Sequence, residues 1–441
     1  SGDGDGDGDA TTSGSAAPVV LVVEDASLPE LLDVDLYDLL VGMGEDVVVQ
    51  TSLDPEWTAP ASLIVISETA VSANLGMKYR TSVHPVLSLE GDSWDGLGMA
   101  SGSPSIPMLT DVEILDPTHP LAAGYTGTVP LMASIGIHAV DGNMLSMPFN
   151  SSTPILYYNK EAFRLAGLDP EAPPKTWDAL VEAAKKTQAA GYPCGFTTGW
   201  QSWVQLENFS AWHNVPFATK SNGFAGLDTE FAFNSDLHVR HIANMAEWQK
   251  TKLFDYGGRR SDSANKFYVG ECAMYMNSSA SRAGVMENVK TFQVGMGMLP
   301  YYDDVQGAPQ NSIIGGATLW VLQGRQPEEY KGVARFFTYL SSAEVQADWH
   351  QFTGYLPITH AAYELSQKQG YYEKNPGADV AIMQMTRAEP TENSKGLRLG
   401  NFVQGRDVIN EELEAVWSGK KTAKEALDDA KRRGDELLRK F

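Results

Sequence analysis

Strand-period and helix-period segments alternate along this chain, and that alternation restricts its fold more than any single motif. VVLVVED at 19–25 reads as a buried strand. LPELLDVDLYDLLVGMG at 28–44 spaces its apolar residues helically and ends on glycine. DVVVQT (46–51), LIVISE (63–68) and PVLSLE (85–90) are strand-like again. Unbroken apolar strands separated by helices are the pattern of a parallel sheet covered on both faces. Residues 18–132 are therefore expected to form a small α/β domain. Farther on, KEAFRLAG predicts a short helix closed by Gly167, and Thr176 caps the next with Asp178 in its first turn. Tyr330, Val333, Ala334, Phe337 and Leu340 fall on one face of a third helix. Ser341 and Glu344 are spaced as a capping box for a fourth, which Gly354 ends, and Thr422 with Glu425 caps the last. CGFTTG, CAMYMN and ATLWVLQ read as strands between them. The fold class is α/β throughout.

A length of 441 residues exceeds one ordinary core, so two or three domains are expected. No apolar run reaches the roughly 18 residues that cross a bilayer. The net charge of −23 is unevenly placed: residues 1–140 hold 21 Asp and Glu against 2 Lys and Arg. Such an acidic surface repels phosphate backbones and excludes nucleic acid as a partner. A small anion is still admissible, because one local Arg can dominate a buried site. Residues 1–17 read as a disordered acidic Gly/Asp linker. DGDGDGD has the look of a calcium loop, but Gly14 stands where the twelfth position needs a bidentate Glu. The chain begins without Met and shows no signal-peptide pattern, as expected of a processed or trimmed product, so export stays open.

Cys194 and Cys272 each open a strand-like run. A disulfide between neighbouring strands and two buried free thiols are both open readings. His238 and His241 stand three apart in LHVRHIANMAEW without a third ligand. They are expected on a solvated helical face rather than on a metal. No P-loop, HExxH or convincing Ser/His/Asp set occurs. No catalytic residue, metal or cofactor is assigned.

From about residue 141 onward the motifs become specific. SMPFNSSTPILYYNK, GWQSWVQLENFSAW, GECAMYMNSSA, APQNSIIGGATLWV, WHQFTGYLPITHAAY, YYEKNPGAD and KGLRLGN follow one another in order. In that order they resemble the extracellular solute-binding proteins of ABC importers, in the group that includes maltose-binding protein. Within it they are most similar to members that take sn-glycerol-3-phosphate and glycerophosphodiesters. The resemblance implies a two-lobe α/β fold that closes on a small-molecule ligand and then docks on a membrane permease. It implies a periplasmic or extracellular monomer that is not an enzyme. It also implies site residues. Ser152 and Ser278 would give hydroxyls, Gly316 a backbone N–H and Tyr355 a phenol. Arg406 would hold the phosphate, with Arg398 as a nearby competitor. Trp200 and Trp203 would form an apolar wall.

Each of these residues has a plainer reading: Ser152 in a turn, Gly316 in a tight bend, Trp203 in a core, Tyr355 beside a helix stop, Arg406 in a surface ion pair. Residues 18–132 do not match the family's opening segment, which supplies a Tyr and an acid to the ligand. Residues 133–441 are thus expected to carry an incomplete first lobe plus the second. The first lobe is truncated, or replaced by a flavodoxin-like N-terminal α/β unit. VVEDASLPELL resembles the start of a two-component receiver, but the third strand ends in Ser67-Glu68 where that family needs its phosphoacceptor Asp. Two further readings stay open: a chimeric chain with a broken site, and a fusion whose front carries a nucleotide- or metal-dependent activity.

Overall fold

The computed structural model describes residues 17–23, 37, 40–41, 46–51, 53–55, 59, 61, 63–66, 86–88, 111–114, 127–130, 139–140, 143–144, 147–226, 228–321 and 326–440. The leader at 1–16, most of the helix expected over 28–44, and the strand ends at 24–25, 67–68 and 89–90 lie outside them; within that helix Tyr37, Leu40 and Val41 are helical. The chain divides into two compact units. One comprises Ser1–Ser101 with Trp320–Arg325, the other Gly102–Leu319 with Gln326–Phe441.

In the first unit β1 (Val19–Val23), β2 (Val47–Thr51), β3 (Leu63–Ile66) and β4 (Val86–Ser88) form a parallel sheet in the order β2-β1-β3-β4. β1 lies inside the sheet and is buried along its whole length, which is why VVLVV carries no polar alternation. Asp54 closes the end of β2 by accepting from the Thr51 N–H at 2.7 Å.

The second unit contains short antiparallel pairs, β5 (Asp111–Ile114) with β6 (Gly127–Pro130) and β7 (Ala139–Val140) with β8 (Asn143–Met144). β9 (Met147–Ser152) leads into β10 (Pro154–Asn159). β10 joins β11 (Cys194–Thr198), β12 (Cys272–Ser278) and β13 (Val294–Gly297) in a mixed sheet ordered β11-β12-β10-β13. β14 (Gly315–Leu319) pairs antiparallel with β9.

The helix Trp177–Ala189 buries Trp177, Leu180, Ala183, Ala184 and Thr187 on one stripe against this sheet, among Phe196, Met274 and Met276. Full burial of Leu180 alone stabilises by about 2 kcal/mol. A second core, with Phe217, Phe231, Phe233 and Ile242, packs on the C-terminal helices Phe402–Trp417 and Ala423–Leu438. A π-helical segment, Trp203–Glu207, spans both: Trp203 and Val204 belong to the first core and Leu206 to the second.

The Thr176 cap, the Gly167 stop and the Thr422–Glu425 box form as expected. The helix Ala343–Thr353 is capped by Ser342, not by Ser341: Ser341 is spent closing the preceding helix, where its hydroxyl donates to the Phe337 carbonyl. The Cys194 and Cys272 thiols are joined. The two residues face each other in register on adjacent parallel strands and form a disulfide.

His238 and His241 are not on a solvated face. Both are fully buried in the helix Asp236–Lys250. His238 sits between two hydroxyls, Ser235 at 2.6 Å and Ser210 at 2.8 Å, and His241 meets the Gln205 side-chain amide oxygen at 3.1 Å. His241 stacks on Phe209, with ring centroids 4.1 Å apart. A neutral imidazole with both nitrogens matched loses little on burial.

Candidate functional site

The polar run Asn150-Ser151-Ser152 lies within a strand and not in a turn. It pairs with β14, Ser152 opposite Gly315, Ser151 opposite Gly316 and Asn150 opposite Ala317, with a bulge after Ala317. Asn150 Oδ1 accepts from the Ala317 N–H at 2.6 Å. Thr153 alone makes the connection to β10, its hydroxyl 2.7 Å from Ser312 Oγ and 3.0 Å from the Ile313 carbonyl oxygen. At Gly316 φ is +125°, and a Cβ there would stand 2.2 Å from the Asn150 carbonyl oxygen. Only glycine permits that approach.

Ser278 ends β12, in register with Pro154. Its hydroxyl oxygen accepts from the Ala280 N–H at 3.2 Å, and Tyr157 donates to its carbonyl at 2.8 Å. Tyr355 is fixed through its neighbours. Gly354, left-handed at φ +84°, packs against the Ser279 carbonyl, and Leu356 N–H donates to Ser151 at 2.6 Å. The buried His350 donates from Nδ1 to the Tyr355 carbonyl, so its Nε2 accepts from the Tyr372 hydroxyl at 2.8 Å.

Trp200 is left-handed at φ +43°, a conformation that costs a non-glycine residue about 1–3 kcal/mol. Its indole donates to Ser261 at 3.2 Å, the Arg260 guanidinium lies 5.8 Å over its ring, and the residue is 37% exposed. Trp203 is buried with its ring against Gly315, where a Cβ would come within 2.8 Å. Its Nε1–H is buried without an acceptor among the described residues, so this ring presents a donor as well as the expected apolar face.

Arg406 projects from the first turns of the helix Phe402–Trp417. Its Nε and Nη2 donate to the two oxygens of Glu207, both at 2.8 Å, and its guanidinium lies 4.8 Å over the Phe402 ring. The Glu207 side chain is 1% exposed and that of Arg406 36%. The competitor, Arg398, gives its backbone N–H to the Asn222 carbonyl at 2.9 Å.

Contacts thus gather Ser152, Gly316, Ser278 and Tyr355 around the ends of β9, β12 and β14. Trp203 joins through Gly315, and Arg406 through Glu207 on the segment that carries Trp203. Trp200 joins through Ser261, which accepts from Asn277, the neighbour of Ser278, at 3.1 Å. Glu207 and His350 are the residues that sequence reasoning missed. The signal for Glu207 was an acid amid the aromatics of WVQLENF. The set is rich in donors: hydroxyls, indole, phenol, backbone N–H and guanidinium. Among the described residues no group of three His, Cys, Asp or Glu could hold a metal, and no helix is long and apolar enough to cross a membrane.

The chain belongs to the bacterial extracellular solute-binding protein family, whose model matches residues 96–379. Its relatives include the sn-glycerol-3-phosphate-binding periplasmic protein UgpB of Salmonella paratyphi A, 56% identical over 313 residues, 71% of this chain and 71% of the relative. Among solved structures, UgpB from Mycobacterium tuberculosis in complex with glycerophosphocholine superposes with a TM-score of 0.67 at 17% identity, over 96% of this chain and 99% of that one. The cyclic α-maltosyl-1,6-maltose binding protein of Arthrobacter globiformis gives 0.65 at 20% identity, over 97% and 100%. At such identities the structures establish the fold, that of the maltose-binding-protein group. Coverage this wide takes in most of residues 18–132.

Proposed function

We propose that this chain captures sn-glycerol-3-phosphate or a glycerophosphodiester and delivers it to the membrane permease of an ABC importer. The observation that carries this is the 56% identity, over 71% of both chains, to a protein named for binding glycerol-3-phosphate. The donor-rich site supports it. In this reading Arg406 pairs with the phosphate, Gly316 N–H and the Ser152 and Ser278 hydroxyls bind its oxygens or the glycerol, and Tyr355 adds its phenol. Trp200 and Trp203 cover the carbon chain. The protein binds and releases its ligand unchanged, as a monomer. The Cys194–Cys272 disulfide fits an oxidising compartment, periplasmic or extracellular. Residues 18–132 stand in for the family's first lobe; their parallel sheet and the wide structural coverage support this.

Calorimetric titration of the full chain with glycerol-3-phosphate, with maltose as control, tests the reading. Saturation at one ligand per chain, with no heat from maltose, is expected. Arg406→Ala is expected to weaken binding roughly a hundredfold or more, the loss of a charge-assisted pair. A folded chain that gives no heat would overturn the proposal.

A further inference from the structure

Glu207 places a buried carboxylate directly beside the guanidinium assigned to the phosphate, where an anion would not be expected to help. We infer that Glu207 is a positioning residue: it grips one edge of Arg406 so that the adjacent edge is turned toward the ligand's phosphate. The inference rests on the assignment of the phosphate to Arg406.

A guanidinium has two forks, Nε with Nη2 and Nη1 with Nη2. Glu207 takes the first, with both contacts at 2.8 Å. A phosphate on the second fork lies in the plane of the group on the edge next to the carboxylate, and the two acceptors share Nη2, which carries one N–H toward each. Gripping a long side chain in advance removes an ordering cost that binding would otherwise incur.

The grip is rigid because the segment that bears it is tied down on several sides. Gln205 Nε2 donates to the Thr198 hydroxyl at 3.0 Å, and its Oε1 accepts from His241. Asn208, which follows Glu207, accepts from the Ile313 N–H at 2.9 Å and donates to the Trp203 carbonyl at 3.2 Å. The same π-helical turn carries Trp203, so one local widening of the helix sets both the ring and the acid.

The opposing effect is repulsion between the carboxylate and the phosphate, and a titration of variants decides between them. Glycerol-3-phosphate affinity is measured on the full chain for Glu207→Gln, Glu207→Asp, Arg406→Lys and the Glu207→Gln/Arg406→Lys double variant. Glu207→Gln keeps the shape but turns an N–H toward the guanidinium. It is expected to weaken binding tenfold or more while the chain still melts cooperatively. Glu207→Asp is expected to recover part of that loss, and in the Arg406→Lys background Glu207→Gln should cost less than threefold. Unchanged or tighter binding by Glu207→Gln overturns the inference, as does an equal loss in both backgrounds, which would mark a packing role. If Arg406→Lys abolishes binding, Glu207→Asp decides: no recovery relative to Glu207→Gln overturns it. If Arg406→Lys leaves affinity intact, the phosphate assignment itself fails and the inference falls with it.

Discussion

At Gly316 a missing side chain is what lets two strands meet. Gly316→Ala would place a methyl 2.2 Å from the Asn150 carbonyl in a backbone that L-residues avoid. We expect a loss of about 2–4 kcal/mol in stability, read as a lower urea midpoint, together with weaker ligand binding as β14 is pushed from β9. An unchanged midpoint would mean the strands separate at no cost. The demand for glycine at this position was legible in IIGGATLW, because a short motif spells out a local backbone demand. Glu207 was not, since its partner is 199 positions away and reaches it only through tertiary packing. The plainer reading of Ser152 as a turn residue failed for a related reason. The strand that absorbs it, β14, is far off in the chain, and local sequence sees only small polar residues.

At the scale of elements, the helix Asp236–Lys250 shows what periodicity does and does not reveal. Its existence was readable. That its histidines face inward was not, because Ser210, Gln205 and Phe209, which match them, belong to another segment and only Ser235 is local. Burial pushes His238 down to about 3, His213 and His350 to about 4, and His241 well below 6.5. His213 gives its Nδ1–H to the Phe209 carbonyl at 2.8 Å and accepts from the Tyr302 N–H at 2.9 Å. In the unfolded chain these imidazoles take up protons near pH 6.5, whereas in the fold His213, His238 and His350 resist until about pH 4 or lower and His241 is shifted in the same direction. The unfolded state therefore gains protons first, and stability falls as pH drops from about 6.5 toward 4. His213, His238 and His350 each cost roughly 2 kcal/mol between pH 7 and pH 5. Guanidinium unfolding at the two pH values should show a clearly lower midpoint at pH 5, and equal midpoints would refute the burial. The misplaced cap at Ser341 has a simpler cause. Only Ser341 has a glutamate three residues on, but its hydroxyl is taken by the end of the preceding helix, and the adjacent Ser342 caps without a box partner.

At the scale of the whole molecule, the disulfide links positions 78 apart. Closing a loop of that size restricts the unfolded chain by about 4 kcal/mol on the chain-entropy model. Cys194→Ala/Cys272→Ala should therefore unfold at a markedly lower denaturant concentration. Reductant should lower the midpoint of the wild-type protein and leave that of the double variant unchanged. Sequence left this link undecided because strand adjacency, not cysteine spacing, determines it. It foresaw the parallel sheet at the front and the α/β class throughout, while the sheet order β2-β1-β3-β4 needed the tertiary structure.

The path of the chain between its two units has an evolutionary side. The first unit is not a single stretch of sequence: it takes in Trp320–Arg325, deep inside the segment that otherwise builds the second. A gene that exchanged its opening portion would keep those six codons from the older version. Any incoming front would have to accept an inherited strip of foreign sequence. Recombination at one breakpoint therefore transplants this unit incompletely, and a laboratory swap would need a second graft near residue 320 to move it whole.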